Sequence, residues 1–281
     1  KKINFKFNKV CPINSYARKN IGFLLAIKKG SEIIVETDDD NCPKKNFFFN
    51  KVLEHKTYEI KNGSWVNIYN LFLKNKKNNV IWPRGVPLDQ INSSFIRINK
   101  KLKKEKFYLQ QGVCEKNPDV DAIYRLLNKK IDIKFKSNYK ISLGKSISTF
   151  NSQNTIWFKK IFPLLYLPVT CTMRCTDIWR GLIAHNILKK DNKKILFFGT
   201  TMYQERNFHN LQKDFEEEIP MYLNNKKIYE ILSQLKLKSG SNNYFHNLLI
   251  SYQTLIKKGF LSKKELKYLK AWINDCKILM N

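Results

Sequence analysis

The sequence predicts an α/β protein, a sheet with helices and a helical C-terminal region, on three observations. A helical pattern at Ala17, Ile21, Leu24, Leu25 and Lys28 stops at Gly30 and runs directly into the β-branched segment Ser31-Glu32-Ile33-Ile34-Val35-Glu36-Thr37. A second strand, loop and helix follow between Phe107 and Leu127. Past Pro220 the strand signals cease and helical patterns take over. The chain has 281 residues, 43% of them hydrophobic and 13% aromatic, so it can bury a substantial core and is not a disordered chain.

Asn14-Ser15 supplies the first helix N-cap and Gly30 the stop. The continuous apolar run after it reads as a strand covered on both faces, the habit of parallel sheets. It ends in Asp38-Asp39-Asp40-Asn41, where an open α/β sheet binds its ligands. Short strands are expected at Trp65–Phe72 and Phe95–Asn99, with a rigid turn at Trp82-Pro83-Arg84-Gly85-Val86-Pro87. A strand at Phe107–Val113 leads to a short helix, Val120–Leu127, whose first turn is acidic at Asp119 and Asp121. Next come helix-like sequence at Trp157–Leu165, a buried stretch at Leu167–Met173, a helix at Asp177–Lys189 and a strand at Lys194–Phe198. Ile228–Leu237, Tyr244–Lys257 and Lys263–Leu279 are the tail helices. The expected division is a core over 1–219 and a helical region over 220–281.

Lys and Arg outnumber Asp and Glu by 52 to 23, which favours partners carrying phosphate: nucleotides, nucleic acid or an anionic membrane surface. An AT-rich genome would write the same Lys, Asn and Ile excess with no functional demand. The six cysteines hold no Cys-x-x-Cys pair and read as free thiols in a reducing compartment; Cys171 and Cys175 read as packing residues. The longest apolar run, Ile161–Met173, is broken by prolines and is shorter than the roughly 20 residues of a spanning helix. The chain opens without Met, which leaves an upstream anchor or targeting segment open.

Asp38, Asp39 and Asp40 offer hard oxygen ligands, spaced to hold Mg²⁺ or Mn²⁺ against a diphosphate; the bland alternative is a solvated turn. An EF-hand is excluded by Cys42 and Phe49 at ligand positions. Arg18, Lys19 and Asn20, in a first helical turn, can hold phosphate or a base edge, or simply end a helix. Leu143-Gly144-Lys145-Ser146 resembles the end of a P-loop, but Tyr139 occupies the required glycine position. Asp177 is either a helix cap or a general base, and His209 is an isolated histidine. No Gly-x-Ser-x-Gly elbow or Cys/His pairing occurs.

The series Asn14-Ser15-Tyr16-Ala17-Arg18-Lys19-Asn20-Ile21-Gly22, Glu36-Thr37-Asp38-Asp39-Asp40-Asn41, Trp82-Pro83-Arg84-Gly85, Gln111-Gly112, Pro118-Asp119-Val120-Asp121, Asn151-Ser152-Gln153-Asn154-Thr155 and Thr176-Asp177-Ile178-Trp179-Arg180-Gly181 resembles the STELLO-type glycosyltransferases. The match runs from Asn14 to His209; the helical tail carries less of it. The resemblance implies a GT-A-like (Rossmann-like) fold, a mixed sheet flanked by helices, whose first strand, helix and strand are missing from this sequence. It also implies a nucleotide-sugar donor, a divalent metal (Mn²⁺ or Mg²⁺) on a DXD-type motif, and a glycan or lipid-linked acceptor. Carried over, Asp38 and Asp40 are the metal-binding acids, with His209 as a late third ligand. Arg18, Lys19, Asn20, Asp38 and Asp39 face the donor, and Asp177 is the acid/base beside Arg180. Asn151, Gln153 and Asn154 suit sugar hydroxyls, and Trp82, Arg84, Asp119 and Asp121 complete the expected substrate set.

Plant members of that family are associated with cellulose synthesis in the Golgi. Here the expectation is an enzyme in the cytoplasm or peripheral to an anionic membrane, and in the Golgi lumen if eukaryotic with an anchor upstream. Two other readings remain: a glycosyltransferase-like scaffold without turnover, and a nucleic-acid binder in which Lys100 to Lys106 and the Lys-rich tail track phosphates.

Overall fold

The computed structural model describes residues 4–75, 80–92, 96–128 and 131–280. The chain divides into two compact units. One, the helical unit, comprises Lys1–Ile34, Trp157–Asn192 and Lys226–Asn281; the other, the sheet unit, comprises Val35–Ile156 and Lys193–Asn225.

In chain order the helices are α1 (Lys6–Val10), α2 (Lys19–Lys28), α3 (Tyr69–Phe72), α4 (Ala122–Leu127), α5 (Met173–Lys190), α6 (Leu211–Ser233), α7 (Tyr244–Lys257) and α8 (Glu265–Met280). The strands are β1 (Ile33–Thr37), β2 (Asn41–Pro43), β3 (Glu54–Ile60), β4 (Ile98–Lys106), β5 (Leu109–Lys116), β6 (Lys140–Ser142), β7 (Asn154–Phe158) and β8 (Ile195–Gln204). They form one sheet in the order β1-β7-β5-β8-β6-β3-β4, with β2 on β8. The sheet is mixed: β5 runs parallel to β8 and β3 to β6, while β6 and β2 run antiparallel to β8 and β4 to β3. This is the helix-flanked α/β architecture expected of a GT-A-like fold.

The first helix forms as its caps dictate. The Ser15 hydroxyl accepts from the Ala17 N–H at 3.2 Å, starting a 3₁₀ turn, Tyr16–Arg18, that continues as α2. At the far end Gly30 sits at φ +78°, and the Gly30 and Ser31 N–H groups return to the Ile27 and Ala26 carbonyls, closing a Schellman motif. β1 follows as expected, but at the sheet's edge and not covered on both faces: Ile34 and Glu36 are buried while Ile33, Val35 and Thr37 are half-buried.

Other expectations are corrected by packing. Trp65–Phe72 is not a strand: Trp65 makes an isolated bridge to Ile147, and Tyr69–Phe72 is a helical turn. Trp65 to Tyr69 are buried without interruption, and Phe72 with them, so the in-and-out alternation of a strand is absent. Of the expected strand at Phe95–Asn99, Phe95 lies outside the described residues, and β4 continues to Lys106. The Lys-rich segment read as a phosphate track is therefore a sheet edge, with Lys104 on Glu54 at 2.9 Å, the charged-edge device that discourages further strand pairing. Trp157 belongs to β7 rather than a helix, and a 3₁₀ turn follows at Lys159–Leu165. α5 begins at Met173, so Asp177 lies inside it and is not its cap. α6 begins at Leu211 with the Asn210 carboxamide oxygen accepting from Gln212 and Lys213, and passes through Pro220.

The tail helices are tied into the helical unit. α8 packs on α1 and α2, and Asp275 accepts from the Lys6 and Phe7 N–H groups at 3.1 and 2.8 Å, capping α1. Glu265, fully buried, accepts from the Tyr166 hydroxyl at 2.5 Å and from the Val169 and Thr170 amides. Phe7, Tyr166, Tyr252 and Trp272 pack as an aromatic core, edge to face or tilted.

Candidate functional site

In the sheet unit the acidic loop leaves the carboxyl end of β1 and lies against the carboxyl end of β8. The Gln204 carboxamide donates to Asp40 Oδ2 at 2.9 Å, and the Glu205 N–H donates to the Asp40 carbonyl at 3.0 Å. Asp38 and Asp40 are half-buried and Asp39 is exposed. Two acceptors here are buried without a hydrogen-bond partner, Asp40 Oδ1 and Gln204 Oε1. Leaving such an oxygen unmet costs on the order of 1–3 kcal/mol, so the loop carries an acceptor-rich spot that suits a cation. Cys114, whose thiol lies 3.6 Å from Asn41 Oδ1, adds no soft ligand: burial first, then the Asp40 carboxylate, raises its pKa and holds it as the thiol.

Among the described residues no three His, Cys, Asp or Glu side chains converge as a metal cluster. His209 is turned to Asp214, its Nδ1 3.3 Å from Oδ1, in a group completed by Arg206 at 2.7 Å. It therefore forms no such cluster with Asp38 and Asp40.

The loop is tied to a second polar group. Asn41 Nδ2 donates to Thr37 Oγ1 and to the Gln153 carbonyl at 3.0 Å. Asn151 Oδ1 accepts from the Gln153 N–H, while Asn151 Nδ2 donates to Asp119 Oδ2 at 2.6 Å. Arg84 meets Asp119 in a fork, Nε to Oδ1 at 2.8 Å and Nη2 to Oδ2 at 2.9 Å. Trp82 Nε1 donates to Asp121 Oδ2 at 2.6 Å, and Asp121 Oδ1 caps α4 through the Tyr124 N–H. Asn154 exchanges hydrogen bonds with the Thr201 hydroxyl. The structure thus brings Trp82, Arg84, Asp119, Asp121, Asn151, Gln153 and Asn154 together, but buried, as an internal network. Asp121 is pushed up to about 6, first by burial and then by the charges of Glu218 and Asp119, against the two hydrogen bonds it accepts.

In the helical unit α5 packs on the 3₁₀ turn that carries Arg18. Arg18 reaches Asn8 at 3.4 Å, and Lys19 meets the Tyr16 hydroxyl at 3.3 Å and its ring face. Asn20 is fully buried and both ends of its carboxamide are bonded to the Leu167 peptide at 2.9 Å, which fixes that loop and leaves the group committed there. On α5, Asp177 is buried with Oδ1 accepting from the Ile178 N–H at 3.0 Å. The Arg180 guanidinium lies 5.0 Å from the Trp157 ring centroid.

Gln204 is the residue the sequence reading missed. Ending the strand at Phe198 hid it, although Thr200, Thr201 and Tyr203 beyond Gly199 are good strand formers.

Residues 174–280 match the family model described as STELLO glycosyltransferases, a span that holds the motif from Thr176 to Gly181 and also the tail, where motifs were sparse. The chain is 26% identical over 94% of its length to "Probable glycosyltransferase STELLO1" and 25% identical over 97% to "Probable glycosyltransferase STELLO2", both of Arabidopsis thaliana. It spans 36% and 37% of those relatives' own lengths.

Proposed function

We propose that this chain is the transferase region of a metal-dependent glycosyltransferase that moves a sugar from a nucleotide-sugar to a glycan or lipid-linked acceptor. The observation that carries it is the pair of buried, unpartnered acceptors, Asp40 Oδ1 and Gln204 Oε1, at the carboxyl ends of β1 and β8. Asp38, Asp40 and Gln204 would hold a divalent cation whose charge offsets that of the departing nucleoside diphosphate. Arg18 and Lys19 supply cations for the donor phosphates.

In the transfer step the acceptor hydroxyl oxygen bonds to the anomeric carbon as the bond from that carbon to the diphosphate oxygen breaks. The bonding pair leaves with the diphosphate, and the hydroxyl proton goes to a base, the role that the family resemblance gives Asp177 if transfer inverts the anomeric centre. Arg180, held on Trp157, is the cation that would hold phosphate or the acceptor. The internal network from Trp82 to Asn154 acts indirectly, by fixing Asn41 and with it the acidic loop. The net charge of +29 suits an acceptor at an anionic membrane surface. Among the described residues no helix is long and apolar enough to cross a membrane.

The test is hydrolysis of a nucleotide-sugar panel with Mn²⁺, with chelator, and with Asp38→Ala plus Asp40→Ala. Turnover that needs the cation and disappears in the variant supports the reading. Absence of turnover and of donor binding across the panel sinks it.

A further inference from the structure

A cavity of about 380 Å³ in the sheet unit shares only Asn154 with the residues discussed above as site candidates. Its walls are the segment from Asn46 to His55, the 137–140 segment, and β8 from Phe198 to Thr201. Three basic side chains, Lys51, His55 and Lys140, line it, and no carboxylate does among the described residues. Lys140 Nζ lies 3.2 Å from His55 Nδ1, so two bases meet with no acid between them. That contact requires the imidazole to accept, and its other nitrogen, Nε2, lies 3.1 Å from the Val52 carbonyl and 3.3 Å from Gln110 Oε1. Burial first, then the Lys140 charge, lowers the His55 pKa, as a positive pocket without a counter-ion should.

The rest of the lining is of a different kind. Asn46, Asn138 and Asn154 present carboxamides, which both donate and accept. Asn46 Nδ2 donates to the Thr200 carbonyl, while its Oδ1 is buried without a partner. Phe49 and Phe198 add flat apolar faces. The wall at 137–140 depends on a glycine: a Cβ at Gly199 would stand 2.2 Å from the Ser137 carbonyl oxygen and 2.3 Å from that of Lys136. Only glycine lets that loop lie on β8.

A volume of a few hundred cubic ångströms suits a small ligand. We infer that this cavity binds an anionic saccharide, its phosphate or carboxylate at the Lys140 ammonium that His55 orients, its hydroxyls on the carboxamides and its ring against Phe198. The site does not rest on the transferase reading, and its test needs no turnover.

The test is calorimetric titration of the whole chain with glucose 6-phosphate, glucuronate, glucose and inorganic phosphate. At least one charged sugar is expected to bind about tenfold or more tighter than glucose and than phosphate alone. Lys140→Ala, at an exposed position where folding is not at stake, should weaken it about tenfold, and Asp40→Ala should leave it unchanged. Which charged sugar binds names the anion. Binding of neither, equal binding of glucose or of inorganic phosphate, or indifference to Lys140→Ala overturns the proposal.

Discussion

Around Asp119 and Asp121 every carboxylate oxygen meets a donor, from Arg84, Asn151, Trp82 or the Tyr124 amide, whereas Asp40, in the same unit, keeps one oxygen buried with none. Both groups are acidic, both belong to motifs that stand out in the sequence, and Asn41 and Gln153 connect them. Hydrogen-bond satisfaction separates their roles. A closed network fixes backbone, while a bare acceptor is a cost that a bound cation offsets.

The largest expected effect breaks the closed group. Arg84→Ala leaves the Asp119 carboxylate buried without its fork partner and should cost about 3–5 kcal/mol, read by urea denaturation. Asp40→Ala, in the open group, should change stability by less than about 1 kcal/mol without metal, because removing the unmet Oδ1 offsets the loss of the Gln204 hydrogen bond. Its effect belongs on metal-dependent turnover. If the two variants destabilise equally, the distinction fails.

Asp121 sharpens the comparison through pH. Its folded pKa of about 6 lies above the unfolded value of about 3.9, so its contribution is fully present below about pH 3.9 and is lost as pH rises through about 6. Between those values the ionised form increasingly opposes folding, by up to about 1.4 kcal/mol per pH unit. His185 works the other way. Burial holds it down to about 3, so it is fully tolerated above about pH 6.5 and costs stability as pH falls toward 3. The difference between wild type and Asp121→Asn at each pH cancels the histidine. Relative to the variant, wild type should gain stability from pH 7 to pH 5; at pH 7 the variant gives up an acceptor facing Trp82 or Tyr124, worth about 1–3 kcal/mol. A flat difference would contradict the raised pKa.

Smaller effects are expected at the rim. Gln204→Ala should weaken cation affinity about 10–100-fold while leaving the fold intact. His209→Ala should cost about 1 kcal/mol and spare cation affinity, since its partner is the buried Asp214, which Arg206 still holds. A large loss of affinity there would return His209 to the metal.

Local chemistry was legible. Ser15 and Gly30 bracketed the first helix because capping acts within a few residues, and the polar end of β1 marked the acidic loop. The Trp82, Arg84, Asp119 and Asp121 set was legible as a set, but its burial was not, since Arg84 and Asp119 pair across 35 residues. The edge position of β1 is likewise set by pairing with β7, which no local pattern announces. The role of the tail was hidden for the same reason: Asp275 and Glu265 look like surface acids until they meet amides from the far end of the chain and from 169–170.

The most direct test of the open acidic loop is Mn²⁺ binding by electron paramagnetic resonance, in the presence of a nucleoside diphosphate, for wild type and Asp40→Asn. The account predicts loss of the free-ion signal with wild type and its persistence with the variant, both proteins folded by circular dichroism. Equal uptake by both would show that Asp40 is not what holds the cation, and the reading of its bare oxygen would be wrong.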